Sequence, residues 1–205
     1  MEPIAKLVQR VRKTEHGFAD IRATSNQVVA SQHSVQESLG LSKKLLASDV
    51  HQARMLAVFI LGHLSSESAA SLALLKNQVS QDKDWRVQEI LAQAFDMYCS
   101  RIGYERALPT IQDWLANESP NVRRAVTEGL RIWTSRPYFR EHPELAIQLL
   151  SNLRNDKSEY VRKSVGNALR DISRKHKDLV STELAQWNLS DKNVQHVYKL
   201  ASQFL

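Results

Sequence analysis

Apolar residues recur along this chain with a helical period. In three similar segments they stand at the first, fifth and ninth positions: VQEILAQAF from Val87, VRRAVTEGL from Val122 and VRKSVGNAL from Val161. That spacing places an apolar stripe on one face of an α-helix, and no segment convincingly alternates with the period of two that strands show. The sequence therefore predicts an all-α protein in which nine residues of the stripes are buried: Val87, Leu91, Phe95, Val122, Val126, Leu130, Val161, Val165 and Leu169.

The same pattern repeats at a nearly constant distance. Two looser copies, ARMLAVFIL from Ala53 and VQHVYKLAS from Val194, bring the steps between copies to 34, 35, 39 and 33 residues. A polar turn precedes each central copy, and a further helical stretch precedes each turn. Helix pairs with a period of roughly 35–40 residues are typical of HEAT and armadillo solenoids. We therefore expect one domain, residues 1–205, with divergent N-terminal helices in residues 1–45 and a superhelical solenoid of about five antiparallel helix pairs in residues 46–205.

Composition and charge limit the possible partners. The net charge is +6, and residues 101–205 hold 17 Lys/Arg against 12 Asp/Glu, which favours a polyanionic partner without proving one. The single cysteine, the spacing of the seven histidines and the lack of a Gly-rich phosphate loop argue against a metal site or a nucleotide cofactor. No apolar run reaches the ~18–20 residues of a membrane span, and the N-terminus lacks the apolar core of a secretion signal. A cytoplasmic protein without membrane contact is expected.

The second helix of each pair usually lines the concave surface of such a solenoid, and its polar face carries the candidate chemistry. On the helix of the first central copy, Trp85 and Glu89 stand one turn apart, outside the apolar stripe. Equivalent polar positions in the three central copies are occupied by Glu89, Arg124 and Lys163, then by Gln93, Glu128 and Asn167, with Asp171 one turn further. Two interpretations stay open at this point: a solvated face with a packed loop-end tryptophan, or a ligand groove with an aromatic wall.

Three longer strings narrow the choice. WRVQE, SPNVRRAVTEGLR and SEYVRKSVGNALRDISRKHKDLV resemble the HEAT-like repeat DNA alkylation-repair glycosylases of bacteria, with features of both the AlkC and AlkD branches, over roughly residues 50–180. The resemblance implies a right-handed arc of helix pairs that embraces duplex DNA. It also implies excision of bases alkylated on a ring nitrogen, without a cofactor. The first 45 residues match nothing in the family, in which this end supplies a helix that touches DNA.

The resemblance also implies roles for individual residues. Glu89 and Asp171 look like the family's catalytic acids, and Trp85 looks like an aromatic wall. Arg124 falls where the family places a basic residue on the DNA backbone. Asn167 stands where the AlkD branch carries a tryptophan. The full set of expected DNA-binding residues is Trp85, Arg124, Glu128, Trp133, Lys163, Asn167 and Arg170.

Two classes of function follow. The first is a monomeric DNA N-glycosylase that acts on duplex or damaged DNA and excises cationic alkylated bases. For this function we predict that Glu89 and Asp171 converge across the groove, although they lie 82 residues apart (171 − 89). The second is a non-catalytic module, either a paralogue that binds DNA structures or a protein-interaction scaffold. A pure protein scaffold has no need of the basic excess in the later repeats.

Overall fold

The computed structural model describes residues 3–31 and 34–205, and its regular structure there is entirely helical. The helices fall into two compact units, Met1–Ile102 and Gly103–Leu205. The first unit contains α1 (Ile4–Arg12), α2 (Ala19–Ser31), α3 (Val35–Leu46), α4 (His51–Leu64), α5 (Ala69–Asn77) and α6 (Trp85–Ile102). The second contains α7 (Tyr104–Leu115), α8 (Pro120–Gly129), α9 (Pro137–Glu141), α10 (Pro143–Ser151), α11 (Glu159–Ser173), α12 (Lys177–Ala185) and α13 (Lys192–Ala201).

The predicted repeat array is confirmed by the helix order and by burial. The pairs α3/α4, α5/α6, α7/α8, α10/α11 and α12/α13 follow one another along the chain, and α4, α6, α8, α11 and α13 are the helices that carry the repeated apolar pattern. All nine side chains expected in the core are fully buried. In the first unit α4 packs against all five other helices, whereas in the second unit α11 packs against α8, α10, α12 and α13. The single-domain organisation stays a prediction.

A recurrent turn starts the second helix of each later pair. In each, an Asp or Asn side-chain oxygen accepts a hydrogen bond from the backbone N–H two residues further on, which sets the entry into the helix. The four acceptors are Asp82, Asn117, Asp156 and Asp191, at 2.9, 2.9, 2.8 and 2.7 Å. The polar turns noted in the sequence are therefore helix-entry motifs.

A second recurrent contact appears in all five copies. The residue after the first apolar position donates a side-chain hydrogen bond to the backbone carbonyl six residues earlier. The donors are Arg54, Gln88, Arg123, Arg162 and Gln195, at 3.0, 2.8, 2.7, 2.7 and 2.6 Å. The loose copies at Ala53 and Val194 make the same contact as the central three. We call the residue after the first apolar position the scaffold position, because its side chain bonds each helix to the turn before it.

The arginines at this position also hold neighbouring repeats together. Arg123 reaches Asp156 with N–O distances of 2.6 and 2.7 Å, and Arg54 reaches Asp82 at 2.6 and 3.2 Å. Each acceptor is the aspartate that starts the next repeat's second helix. A planar guanidinium suits such two-pronged pairing with a carboxylate.

Among the described residues, no helix is both long and apolar enough to cross a membrane.

Candidate functional site

The start of α6 fixes the orientation of Trp85. Asp84 accepts hydrogen bonds from the Arg86 backbone N–H (3.0 Å) and guanidinium (2.9 and 2.7 Å), so the helix begins directly after it. These bonds hold the pKa of Asp84 below its usual value, chiefly through the Arg86 side chain. A charged carboxylate at a helix N-terminus is favourable because it faces unpaired N–H groups. Trp85 is thereby held as the first residue of a well-anchored helix.

Trp85 is an exposed aromatic side chain, with 66% of its surface accessible. Val87 and Gln88, in the same turn, are buried. The Arg86 guanidinium carbon lies 5.9 Å from the centroid of the Trp85 ring, within the range of a cation–π contact. Glu89 follows one turn later and is partly buried. An exposed tryptophan and a carboxylate one turn later therefore lie outside the apolar face of α6.

The N-terminal helices reach this side of α6. Arg22, on α2, donates a hydrogen bond to the Oε1 atom of Gln93, one turn beyond Glu89. The same guanidinium lies 5.4 Å from the ring centroid of Phe59, on α4. Arg22 thus fixes α2 to both α4 and α6. Sequence reasoning missed this residue because its region showed no repeat pattern.

In the second unit, consecutive arginines of α8 have different surroundings. Arg123 is committed to Asp156 and to two turn carbonyls, and only 12% of its side chain is exposed. Arg124, at the next position of the helix, is partly exposed. The sequence placed Arg124 among the DNA contacts, and its position on the helix is compatible with that role. Glu128, one turn further, is also partly exposed.

Asp171 lies in a network of charged side chains. Its Oδ2 atom is 3.0 Å from Arg131 Nε, and its Oδ1 atom is 3.4 Å from Arg170 Nη2. Arg131 also reaches Glu128 at 3.5 Å, so one guanidinium links two carboxylates. Burial lowers the pKa of Arg131, but the bond to Asp171 and the charge of Glu128 outweigh this, and its pKa is raised. Arg131 was missed by the sequence because it lies 40 residues from Asp171.

Lys163 is exposed and already paired. Its Nζ atom lies 2.7 Å from Glu159 Oε1, one turn earlier on α11. This hydrogen bond raises the pKa of Lys163 and lowers that of Glu159. Tyr160, at 74% exposure, is a further exposed aromatic in the same turn. Asn167, one turn beyond Lys163, is partly buried.

Trp133 is a core residue, so the prediction that it lines the groove is wrong. Its side chain has no exposed surface, and its indole N–H donates to the Thr127 carbonyl at 3.4 Å. The ring lies 5.0 Å from that of Phe139, which in turn makes an edge contact with Tyr104. A tryptophan enclosed in an aromatic cluster and bonded to backbone stabilises the loop between α8 and α9. It offers no face to a ligand.

Within the second unit Arg131 links Glu128 to Asp171, and Arg170 approaches the same Asp171 carboxylate. Within the first unit the structure brings Trp85 and Glu89 to one side of α6. The convergence of Glu89 with Asp171 stays a prediction. In the described ranges, 3–31 and 34–205, no group of three or more His, Cys, Asp or Glu side chains is arranged to hold a metal ion.

Comparison with known proteins relates this fold to a known family. The family model of the DNA alkylation repair enzymes matches residues 4–200. The N-terminal helices are therefore part of the match, and the expectation that the first 45 residues fall outside the family is wrong. A segment of 103 residues is 33% identical to the uncharacterized protein YhaZ of Bacillus subtilis, covering 46% of this chain and 29% of that protein.

Two solved structures share the fold. AlkD2 from Streptococcus mutans is 48% identical, with a TM-score of 0.96 over 98% of this chain and 97% of that one. The alkylpurine DNA glycosylase AlkC of Pseudomonas fluorescens, bound to DNA containing an abasic site analog, is 22% identical, with a TM-score of 0.72 over 96% of this chain and 56% of that one. The likeness to AlkD2 confirms the predicted HEAT-like repeat fold.

Proposed function

This chain belongs to the DNA alkylation repair enzyme family, and we propose on that premise that it binds duplex DNA and excises bases alkylated on a ring nitrogen. The observation that carries the proposal is the pairing of an exposed Trp85 with Glu89 on one side of α6. The relative AlkC, which has the same fold, is a glycosylase bound to DNA. The basic excess of the chain is compatible with a phosphate-rich partner.

The chemistry of the lesion suits these two side chains. A base alkylated on a ring nitrogen carries a positive charge, and it leaves the sugar as a neutral molecule. The bond to the sugar is already weak, so acid catalysis of departure contributes little. Negative charge near the sugar matters more, because the sugar becomes cationic in the transition state. In this proposal Glu89 supplies that charge.

Trp85 selects the damaged base. The negative face of an indole attracts a cation by roughly 0.5–2 kcal/mol, more when water is excluded. The ring of Trp85 already accepts the Arg86 guanidinium at 5.9 Å. A cationic base is a chemically similar partner for the exposed part of the ring. Trp85→Ala is then expected to weaken binding to alkylated DNA more than binding to undamaged DNA.

Asp171 has a subordinate role in this scheme. Two arginines accompany its carboxylate, at 3.0 and 3.4 Å, so part of its field is cancelled. A carboxylate fixed in this way is better suited to orient a water molecule than to stabilise a cation alone. Loss of Glu89 is therefore expected to cost more activity than loss of Asp171.

The test is release of methylated bases from dimethyl-sulfate-treated duplex DNA. The wild type should release them, and Glu89→Gln should lower the rate by about a hundredfold, in the range found when one charge-stabilising group is removed from an active site. Asp171→Asn should be less affected. Glu67→Gln removes an exposed carboxylate elsewhere in the first unit and serves as the matched control. Undiminished release by Glu89→Gln would reject the catalytic role of this residue.

The alternative is a non-catalytic module that binds DNA structures, and the pairing of Asp171 with Arg131 favours it. If the wild type releases no base but binds branched or abasic duplexes with a strong salt dependence, this alternative replaces the glycosylase. If it binds no DNA at all, both are wrong.

A further inference from the structure

Ile132 stands out in the backbone. Its φ and ψ angles are 52° and 58°, in the left-handed region, and it is the one non-glycine residue with positive φ among the described residues. A β-branched side chain is strongly disfavoured there, since it crowds its own backbone. The side chain is also 51% exposed. The chain therefore keeps an unfavourable residue at a position where glycine or asparagine would be easier and where burial gains little.

The surrounding contacts hold this turn in place. On one side, Arg131 is fixed by Asp171 and Glu128. On the other, Trp133 is fully buried. The Ile132 carbonyl accepts a hydrogen bond of 2.8 Å from the Ser135 N–H. The conformation is thus imposed from both sides, and such imposed strain is typical of functional positions.

Ile132 directly follows Arg131, which pairs with the carboxylates of Glu128 and Asp171. Nearby, Arg136 and Arg140 donate to the carbonyls of Gly129 and Ser135, both at 3.2 Å, so the segment is ordered and basic. An exposed apolar side chain in a segment that also carries Arg131, Arg136 and Arg140 is complementary to nucleic acid, whose phosphates lie beside apolar sugar and base surfaces. Proteins commonly place isoleucine, leucine or phenylalanine against these surfaces when they bind bent or opened duplexes.

We propose that Ile132 is an apolar contact to DNA, packing against the deoxyribose or base edge of the nucleotide next to Asp171. This inference rests on the proposed function, and it adds a specificity residue that the sequence did not indicate. Arginines contribute affinity by pairing with phosphates, whereas Ile132 contributes by burying apolar surface when DNA binds. Its contribution is therefore independent of salt.

The experiment compares Ile132→Gly, Ile132→Asn and Ile132→Val. Affinity is measured by fluorescence anisotropy with one labelled duplex that carries a tetrahydrofuran abasic analogue and one undamaged duplex, over a series of salt concentrations. Thermal unfolding is followed for the same proteins. Gly and Asn tolerate the left-handed conformation, so these variants should be at least as stable as the wild type. Their affinity for the abasic duplex should fall about fivefold. This factor corresponds to the hydrophobic free energy lost when the exposed half of the isoleucine side chain is no longer there to be buried on binding.

The slope of log K against log salt should be the same in all variants, because no charge is lost. Ile132→Val keeps an apolar β-branched side chain and should retain affinity within about twofold. If affinity is unchanged in Ile132→Gly and Ile132→Asn while the wild type binds, the inference is wrong and the proposed function stands. A loss of stability in step with affinity would assign Ile132 a structural role and overturn the inference. Absence of DNA binding by the wild type would overturn the proposed function together with the inference.

Discussion

Consecutive arginines of α8 provide a sharp test of how scaffold and function are divided. Arg123→Gln removes a guanidinium that makes two short bonds to Asp156 and two to turn carbonyls. Arg124→Gln makes the same chemical change one position further on, at a partly exposed site. The two variants are matched in helix, residue type and charge. We expect Arg123→Gln to lose mainly stability and Arg124→Gln to lose mainly DNA affinity.

The magnitude follows from burial. The side chains of Arg123 and Asp156 are 12% and 5% exposed, so Arg123→Gln leaves a nearly buried carboxylate without its cation. Removing one member of a buried pair costs about 3–5 kcal/mol, and residual exposure places this pair near the lower value. A loss of about 3 kcal/mol corresponds to a fall in Tm of about 6–12 °C for a cooperative unit of this length. Arg124→Gln leaves the Arg123–Asp156 pair intact, so its loss of unfolding free energy should be smaller than that of Arg123→Gln.

Two measurements separate the variants. Urea unfolding gives the change in stability, and fluorescence anisotropy with duplex DNA gives the slope of log K against log salt. Arg124→Gln should reduce that slope by about 0.9 if its guanidinium neutralises one phosphate, whereas Arg123→Gln should leave it unchanged. Equal destabilisation by both variants would refute the division. So would an unchanged salt slope in Arg124→Gln combined with a reduced slope in Arg123→Gln.

Two further predictions concern packing and pH. A Cβ at Gly166 would lie 2.6 Å from the Leu200 Cβ, so Gly166→Ala should destabilise the α11–α13 packing in urea unfolding, whereas Gly40→Ala, with open space around it, should stabilise α3 by about 0.5–1 kcal/mol. Burial, helped by Arg101, lowers the pKa of His63 below its ordinary 6.5, so this residue stabilises the fold above that pH and the contribution is lost as the pH falls through the lower folded-state pKa. Tm measured against pH should therefore decline on the acid side, and less steeply in a His63→Gln variant.

The repeat architecture could be predicted because it is written in local patterns. The apolar spacing predicts that each copy is an α-helix and which of its faces is buried, and the nearly constant step between copies predicts the repeat. The polar turns between helices recur for an equally local reason, since each aspartate or asparagine bonds to a backbone N–H two residues on. The place of Trp85 outside the stripe of α6 could be predicted in the same way, whereas its exposure could not, because a tryptophan packed at a loop end fits the same pattern.

Contacts between distant residues could not be predicted in this way. Arg131 is 40 residues from Asp171, and no local pattern indicates that one fixes the other. Trp133 was misassigned because the loop around it has no helical period, so its burial against Phe139 leaves no trace in the sequence. The left-handed turn at Ile132 was missed for the opposite reason, because a β-branched residue argues against that conformation.

The recurring hydrogen bonds suggest how this fold separates stability from chemistry. In every repeat the residue after the first apolar position bonds to the preceding turn, as Arg54, Gln88, Arg123, Arg162 and Gln195 do. The following position varies in charge, from Glu89 through Arg124 to Lys163. A rotation of about 100° per residue turns these neighbouring positions to different sides of the helix.

This division changes how the net charge should be interpreted. At the scaffold position, Arg54 and Arg123 are paired with aspartates, which offset much of their charge, whereas the turn carbonyls bonded to Arg162 leave its charge uncancelled. At the following position Lys163 is paired with Glu159. If the proposed function is correct, the carboxylate at Glu89 therefore acts in one repeat while the later repeats supply positive charge. The same position of successive repeats then carries a carboxylate for a cationic base in one repeat and cations for phosphates in later ones.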